Sequence, residues 1–276
     1  MKTFVGSQQG YHIHGDRGGP ALRRIKLTLQ YDGTDYSGWQ VQPDRVTIQV
    51  IVETVLRKMT GEETKLLSAG RTDAGVHALQ QVASFDTASQ YPPEIFQKAL
   101  NGMLPRDIRI ISSDYAVDDF HPRYSAKAKS YFYLIDCSEI RNPFLGRYSY
   151  FCKYRLDSKK MIKAAACLIG RHDFSSFRAS GCGARSTVRE IYGIEVKQMN
   201  TIEFLTAGFS GSFIRISVKG NAFLRHMVRN IAGTMIEVGR NRISPGGLRV
   251  ILEARDRKLA GPAAPAGGLF LERVFY

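Results

Sequence analysis

The spacing of apolar residues alternates between that of a strand and that of a helix, and the same order of predicted strands and helices occurs twice along the chain. This repeated order limits the possible folds more than any other feature. Apolar residues first alternate with polar or basic ones over 25–31, as in a half-buried strand. Apolar residues over 48–59 then fall on one helical face, and Thr47 is the candidate N-cap. The remaining elements of the first half are strands near 64–70 and 80–86, a helix near 93–103 and a strand near 108–117. The predicted order is βαββαβ.

The second half repeats this order of predicted elements. It contains a strand over 131–135, a helix near 158–169, strands near 187–197 and 212–219, a helix from about 221 to 238 and a last strand over 269–276. An extra helix, with Ser244 as N-cap and Pro245 at its first position, precedes the last strand. Two copies of the split βαβ unit predict an α+β fold with two RRM- or ferredoxin-like domains. Their antiparallel-rich sheets would carry helices on one face and leave the other face open to RNA.

The chain is predicted to consist of an N-terminal tail and two domains. Residues 1–22 contain several glycines and a proline without a periodic apolar pattern, which predicts a flexible N-terminal tail. The N-terminal α+β domain is expected over 23–122 and the C-terminal α+β domain over 123–276.

The charge of the chain favours a polyanionic partner. Lysines and arginines number 39 against 25 acidic residues, which gives a formal net charge of +14. Nucleic acid is the leading candidate and a membrane surface is the alternative. No apolar run approaches the roughly 18 residues of a spanning helix, and the first residues lack the apolar core of a signal peptide. We therefore expect a cytoplasmic protein that does not bind membranes.

One short loop in the first half holds the strongest candidate for chemistry. Asp73 lies between Arg71 and His77, and Gly70 and Gly75 allow the tight turns that present these side chains together. Aspartate is also a common turn former that bonds its own backbone. From the residues alone, both a catalytic loop and a purely structural turn therefore remain open.

The predicted helix over 221–238 carries two arginines away from its apolar stripe. Arg225 and Arg229 would lie one turn apart on its polar side, and Arg229 would point almost directly away from the core. Arg229 is then either a solvated charge or a guanidinium that faces a cleft and pairs with a carboxylate from elsewhere in the chain.

Basic residues and aromatics are interleaved where the second half begins. Lys127 and Lys129 precede Tyr131, which would share one strand face with Tyr133. Aromatic residues on strands usually belong to the core, but this combination also suits phosphate contact with base stacking. Two further candidates for RNA contact lie in a basic, hydroxyl-rich stretch, which is otherwise read as a solvated loop: Arg178 and Arg185.

Several common catalytic motifs are missing from the sequence. It has no GxxxxGK[ST] phosphate loop, no strand-linked GxGxxG, no HExxH and no carboxylate cluster suited to two metal ions. Chemistry that uses no cofactor and no metal remains, or no chemistry at all.

Residues 70–78 closely resemble the active-site loop of the tRNA pseudouridine synthase A family. Other segments resemble that family in the expected order: 31–40, 129–133, 173–182, 223–233 and 268–269. The resemblance covers nearly everything after residue 22. It departs from the family pattern in a longer N-terminal tail and in Pro122, where a small residue such as alanine is common.

This resemblance implies an activity and roles for particular residues. The family isomerises uridine to pseudouridine in the tRNA anticodon stem-loop, at positions 38, 39 and 40, without a cofactor. Asp73 would be the catalytic carboxylate, Tyr131 the ring that stacks on the flipped uracil, and Arg229 the partner of Asp73. Arg71 would help to extrude the nucleotide. The resemblance also implies the pseudouridine synthase fold and a homodimer with tRNA lying across both subunits.

Two questions stay open from the sequence. Asp73 could attack the sugar, attack the uracil ring or remove a ribose proton. A tandem RNA-binding module without chemistry is the main alternative function, and a metal-dependent nuclease is disfavoured by the lack of clustered carboxylates. The residues expected to contact RNA are Lys127, Lys129, Arg178, Arg185 and Arg225.

Overall fold

A computed structural model describes residues 22–276, apart from residues 182 and 205. The predicted flexible tail over 1–22 therefore lies almost wholly outside the described residues. The strands are β1 (Arg23–Tyr31), β2 (Leu67–Ser68), β3 (His77–Thr87), β4 (Ile108–Tyr115), β5 (Ala128–Asp136), β6 (Tyr150–Phe151), β7 (Gly170–Asp173), β8 (Val188–Phe204), β9 (Ala207–Gly220) and β10 (Leu269–Phe275). The α-helices are α1 (Ile48–Thr60), α2 (Pro93–Met103), α3 (Ser158–Ala165), α4 (Met227–Gly239) and α5 (Gly247–Ala254).

These strands form one mostly antiparallel sheet, which confirms the α+β class. The strand order is β4-β1-β3-β10-β5-β9-β8-β7, with β2 added to β3 and β6 added to β5. The two expected sheets are continuous, because β10 pairs in parallel with β3 and antiparallel with β5. Phe270 of β10 is the register partner of both His77 and Phe132. A last strand in this position pairs the backbone groups of two edges that would otherwise be left open.

The first half follows the predicted order of elements. The side chains of Ile25, Leu27 and Leu29 are completely buried on β1, as the alternating pattern predicts. Helix α1 begins after the predicted N-cap, where the Thr47 hydroxyl accepts a hydrogen bond from the Val50 amide at 3.4 Å. Helices α1 and α2 pack against each other, and α2 packs on β4.

The second half differs from the prediction in two additional short strands, β6 and β7, and at two helix starts. Helix α4 begins at Met227 rather than near residue 221, because His226 adopts a left-handed backbone conformation with φ of 61°. Arg225 therefore precedes the helix, and its expected place on a helical face with Arg229 is wrong. Helix α5 begins at Gly247, and Ser244 accepts a hydrogen bond from the Gly247 amide at 3.1 Å before the helix starts. None of the helices in the described part of the chain is long and apolar enough to cross a membrane.

Candidate active site

The loop that carries Asp73 connects β2 to β3 and packs backbone to backbone on a second loop. The Asp73 carbonyl accepts a hydrogen bond from the Val76 amide at 3.1 Å, which closes a tight turn, and Gly75 has a φ of 75°. A Cβ on Gly33, in the loop after β1, would lie only 2.0 Å from the Val76 carbonyl oxygen. The close approach of these two loops therefore requires glycine at position 33.

Buried side chains from β3 and β5 hold the first residues of the Asp73 loop. The Lys129 ammonium donates to the Ala69 carbonyl at 2.5 Å, and the Gln81 amide donates to the Gly70 carbonyl at 2.7 Å. Lys129 is 8% exposed and Gln81 is fully buried. Two consecutive loop carbonyls are thus anchored by side chains from different strands.

The middle of the loop is anchored at Thr72. The hydroxyls of Thr72 and Tyr31 form a buried hydrogen bond of 2.8 Å, and the Thr72 carbonyl accepts from the Trp39 amide at 3.0 Å. A Cβ on Gly38 would lie 2.6 Å from the Thr72 carbonyl oxygen. The residue directly before Asp73 is therefore fixed from two sides, which preorganises the position of the carboxylate.

The Asp73 carboxylate faces a different side chain at each oxygen. Its Oδ2 lies 3.5 Å from Nη1 of Arg229, and its Oδ1 lies 3.5 Å from Nε2 of His226. The guanidinium of Arg229 is held in turn by a hydrogen bond of 2.8 Å from its Nε to the Ala264 carbonyl. The Asp73 side chain keeps 24% of its surface exposed, so a ligand can reach it. The structure thus brings together Asp73 and Arg229, which are 156 residues apart in the chain.

Tyr131 on β5 forms the aromatic wall beside this carboxylate. Its side chain is 8% exposed. The rings of Tyr131 and Phe223 pack edge to face, with their centroids 5.0 Å apart. Burial raises the pKa of the Tyr131 phenol strongly, and the negative charge of Asp73 adds to this rise. Tyr131 therefore stays neutral and offers a fixed aromatic ring near Asp73.

His226 was not predicted as a site residue from the sequence. Burial is the main cause that lowers the pKa of its imidazole, and the nearby Arg229, Arg225 and Arg257 lower it further, whereas Asp73 raises it. A histidine between Arg225 and Arg229 could have indicated a site residue. The predicted helix ran continuously from 221, however, so nothing distinguished His226 from its neighbours on that helix.

The other predicted RNA contacts divide into exposed and buried side chains. Lys129 differs from the expected surface cation, because it lies under the loop, and burial lowers the pKa of its ammonium to about 8. The positive charges of Arg123 and Arg189 contribute to that lowering. The exposed residues among the predicted contacts are Arg71, Lys127, Arg178, Arg185 and Arg225.

His77, the last polar residue of the predicted loop motif, belongs to the interior. It is 1% exposed, its Nδ1 lies 3.1 Å from Oδ1 of Asp32, and its Nε2 lies 3.1 Å from the carbonyls of Arg147 and Gly267. Its ring also stacks on Phe270 of β10. His77 thus joins the Asp73 loop to the second half of the chain.

In the described part of the chain, no group of three His, Cys, Asp or Glu side chains is placed to hold a metal ion.

Comparisons with known proteins point to one family. The family model for tRNA pseudouridine synthase matches residues 28–125 and 164–276. The tRNA pseudouridine synthase A of Myxococcus xanthus is 44% identical over 255 residues, which are 92% of each chain. The protein of the same name from Moorella thermoacetica is 45% identical over 91% of this chain and 99% of its own length.

A chain of the solved Cbf5–Nop10–Gar1 complex is also similar, but weakly. It is 15% identical, with a TM-score of 0.29 over 76% of this chain and 54% of that chain. Since the family model spans both halves, including the Asp73 loop and the Arg229 helix, this chain belongs to the tRNA pseudouridine synthase family.

Proposed function

We propose that this tRNA pseudouridine synthase isomerises uridine in the anticodon stem-loop of tRNA, at positions 38, 39 and 40, and that Asp73 is its catalytic carboxylate. The observation that carries the proposal is the environment of Asp73. A partly exposed carboxylate is held on a preorganised loop, faces Arg229 and His226 at 3.5 Å, and lies near the aromatic ring of Tyr131. A ring and a carboxylate on one wall suit a reaction on a base that has left its helix.

Each neighbouring side chain has a part in this proposal. Arg229 fixes the position of the Asp73 carboxylate, and its own hydrogen bond to Ala264 limits its movement. Tyr131 stacks on the flipped uracil, which offsets part of the few kcal/mol that extrusion from the helix costs. Arg71 is exposed near the tip of the same loop, where it can take the place of the extruded base in the stack.

The geometry favours a direct role for Asp73 at the reacting bond. Its carboxylate is held by Arg229 in a fixed position, which suits attack on the sugar or the uracil ring, or stabilisation of developing charge. Removal of a ribose proton would require a separate approach to the sugar, and no feature of the described site supports it over direct attack.

The proposal includes a partner subunit and a location. The family resemblance supports a homodimer in the cytoplasm that holds one tRNA across both subunits, and the net charge of +14 supports a polyanionic ligand. Light scattering should give twice the mass of the single chain. A mass equal to one chain, with full activity, would contradict the dimer.

The deciding experiment measures tritium release from tRNA that carries 5-tritiated uridine, with a chelator present. We expect the natural protein to release tritium and Asp73→Asn to release none, because only the carboxylate is lost. Asp119→Asn is the matched control, since Asp119 is an exposed carboxylate outside the site, and it should release tritium normally.

Two outcomes would contradict the proposal in different ways. Tritium release by Asp73→Asn at the natural rate would remove Asp73 from the chemistry. No release by any protein, together with salt-sensitive tRNA binding by all three, would favour the non-catalytic RNA-binding module.

A further inference from the structure

The isomerisation needs a base at C5 of the uracil. Once the sugar has joined C5, that carbon still carries its original hydrogen, and the ring is restored only when the C5–H bond breaks. The electron pair of that bond forms the C5=C6 double bond, and the N1=C6 pair moves to N1, which takes a proton from water. The C5 proton goes to the base and then to solvent, so nothing is consumed overall.

We propose that His226 is this base, a role that rests on the proposed function of Asp73. The imidazole Nε2 lies 3.5 Å from Oδ1 of Asp73, whereas Arg229 contacts the other carboxylate oxygen, Oδ2. The His226 side chain is 28% exposed, so its ring is open to a bound base. Under the proposed function Asp73 acts at the sugar or the ring, which leaves the imidazole beside it to accept the proton.

The turn before α4 connects His226 to the stacking ring. Phe223, directly before this turn, packs its ring against Tyr131, and His226 within the turn contacts Asp73. A uracil stacked on Tyr131 and approached by Asp73 therefore lies next to the imidazole. His226 also holds a left-handed conformation with φ of 61°, which is uncommon for a residue other than glycine and occurs preferentially at functional sites.

The charges around the imidazole favour the form that accepts a proton. The groups that face it are Asp73 on the loop, Arg229 on α4, Arg225 in the preceding turn, and Arg257 in a short 3₁₀ turn. Burial and the three arginines together lower the pKa of His226 below its ordinary value of 6.5, so the ring is neutral at pH 7. Once protonated, the imidazolium faces the negative charge of Asp73, which stabilises it.

The test uses His226→Asn and His226→Gly, because asparagine and glycine both tolerate the left-handed conformation that this position requires. Pseudouridine formation is measured in single turnovers on tRNA with ordinary or 5-deuterated uridine. We expect His226→Asn to slow formation by about 10²- to 10⁴-fold, the usual effect of losing a general base, with a larger deuterium isotope effect than the natural protein. Added imidazole should restore part of the rate of His226→Gly in proportion to its neutral fraction.

The pH profile gives a second readout that a structural role would not change. The natural protein should lose kcat/KM as the pH falls below 6.5 and His226 becomes protonated, and His226→Asn should lack that acidic limb. His172→Gln, a half-buried histidine bonded to the Ile169 carbonyl, is the matched control and should behave like the natural protein.

The outcomes separate this role from the proposed function. A natural rate in His226→Asn, while Asp73→Asn is inactive, overturns the base role alone. A slower His226→Asn with an unchanged isotope effect and no rescue by imidazole also overturns it, and leaves His226 as a group that only positions Asp73. An active Asp73→Asn overturns the proposed function itself.

Discussion

At the scale of single residues, the Asp73 loop is held by a buried lysine. Lys129 is 8% exposed, and it forms no ion pair with any of the described residues, which are 22–276 without 182 and 205. Its ammonium donates to the Ala69 carbonyl at 2.5 Å. Burying an unpaired charge costs stability, so the contact that positions the loop carries an energetic cost.

This cost should depend on pH in a direction that can be measured. The pKa of Lys129 is about 8 in the folded chain, against 10.5 when it is unperturbed. Between these values the unfolded chain binds the proton and the folded chain does not, so folding becomes more favourable as the pH rises. Relative to Lys129→Met, the natural protein should gain up to about 3 kcal/mol of unfolding free energy from pH 8 to 10.5.

Urea denaturation at a series of pH values measures this difference. Lys127→Met is the control, because Lys127 is exposed two residues earlier, and its difference from the natural protein should stay constant. A constant difference for Lys129→Met as well would show that the ammonium is not desolvated.

At the scale of elements, the site depends on two loops that approach closely. The loop after β1 reaches the Asp73 loop only because Gly33 and Gly38 have no side chains. Hydrogen bonds to Thr72 then connect both loops to the hydrophobic core through Tyr31 and Trp39. The position of the carboxylate therefore depends on the packing between these two loops as well as on the strand side chains that hold the Asp73 loop.

Gly33→Ala should be destabilising, whereas the same change at Gly102 should be neutral or stabilising. The new Cβ at Gly33 would lie 2.0 Å from a backbone oxygen, which cannot move without separating the loops. Overpacking of this kind costs about 1–3 kcal/mol. Gly102 lies in α2, where an added Cβ would meet nothing within 4 Å, and alanine favours a helix by up to about 1 kcal/mol.

Thermal unfolding and tritium release together check this prediction. Gly33→Ala should unfold at a lower temperature and lose activity, while Gly102→Ala should keep both. Equal behaviour of the two variants would show that the loops can separate without cost.

At the scale of the whole molecule, one continuous sheet joins the Asp73 loop to Tyr131. β10 lies between β3, which follows the Asp73 loop, and β5, which carries Tyr131. His77 adds contacts with the Arg147 and Gly267 carbonyls across the two halves. The site is therefore assembled at the junction of the two halves.

The affinity for tRNA should depend strongly on salt concentration. The effect of a substitution on this dependence should be determined by whether the replaced side chain is exposed. Each phosphate contact contributes about 0.7–0.9 to the slope of log affinity against log salt concentration. Arg178→Gln should lower that slope by about this amount, because Arg178 is exposed. Lys129→Gln should leave the slope unchanged, since its ammonium is buried and bonded to Ala69. Filter binding over a range of salt measures both, and a flat response by the natural protein would argue against the basic surface as the tRNA site.

Much of the fold could be predicted from hydrophobic periodicity and local capping. The β1 alternation and the Thr47 cap are local signals, because each depends on residues within one element. The start of α4 could not be predicted in this way. The apolar pattern continues past His226, and only its left-handed backbone shows where the helix begins.

The sequence by itself determined the family, the order of the elements in the first half and the Asp73 loop, because these depend on residues close together in the chain. Only the tertiary structure decided that Arg229 and His226 face the two oxygens of Asp73, and that Lys129 is buried rather than open to RNA. The physical reason is the same in each case. Burial and electrostatic contact depend on distances between residues far apart in the chain, and these distances are set when β10 joins the two halves into one sheet.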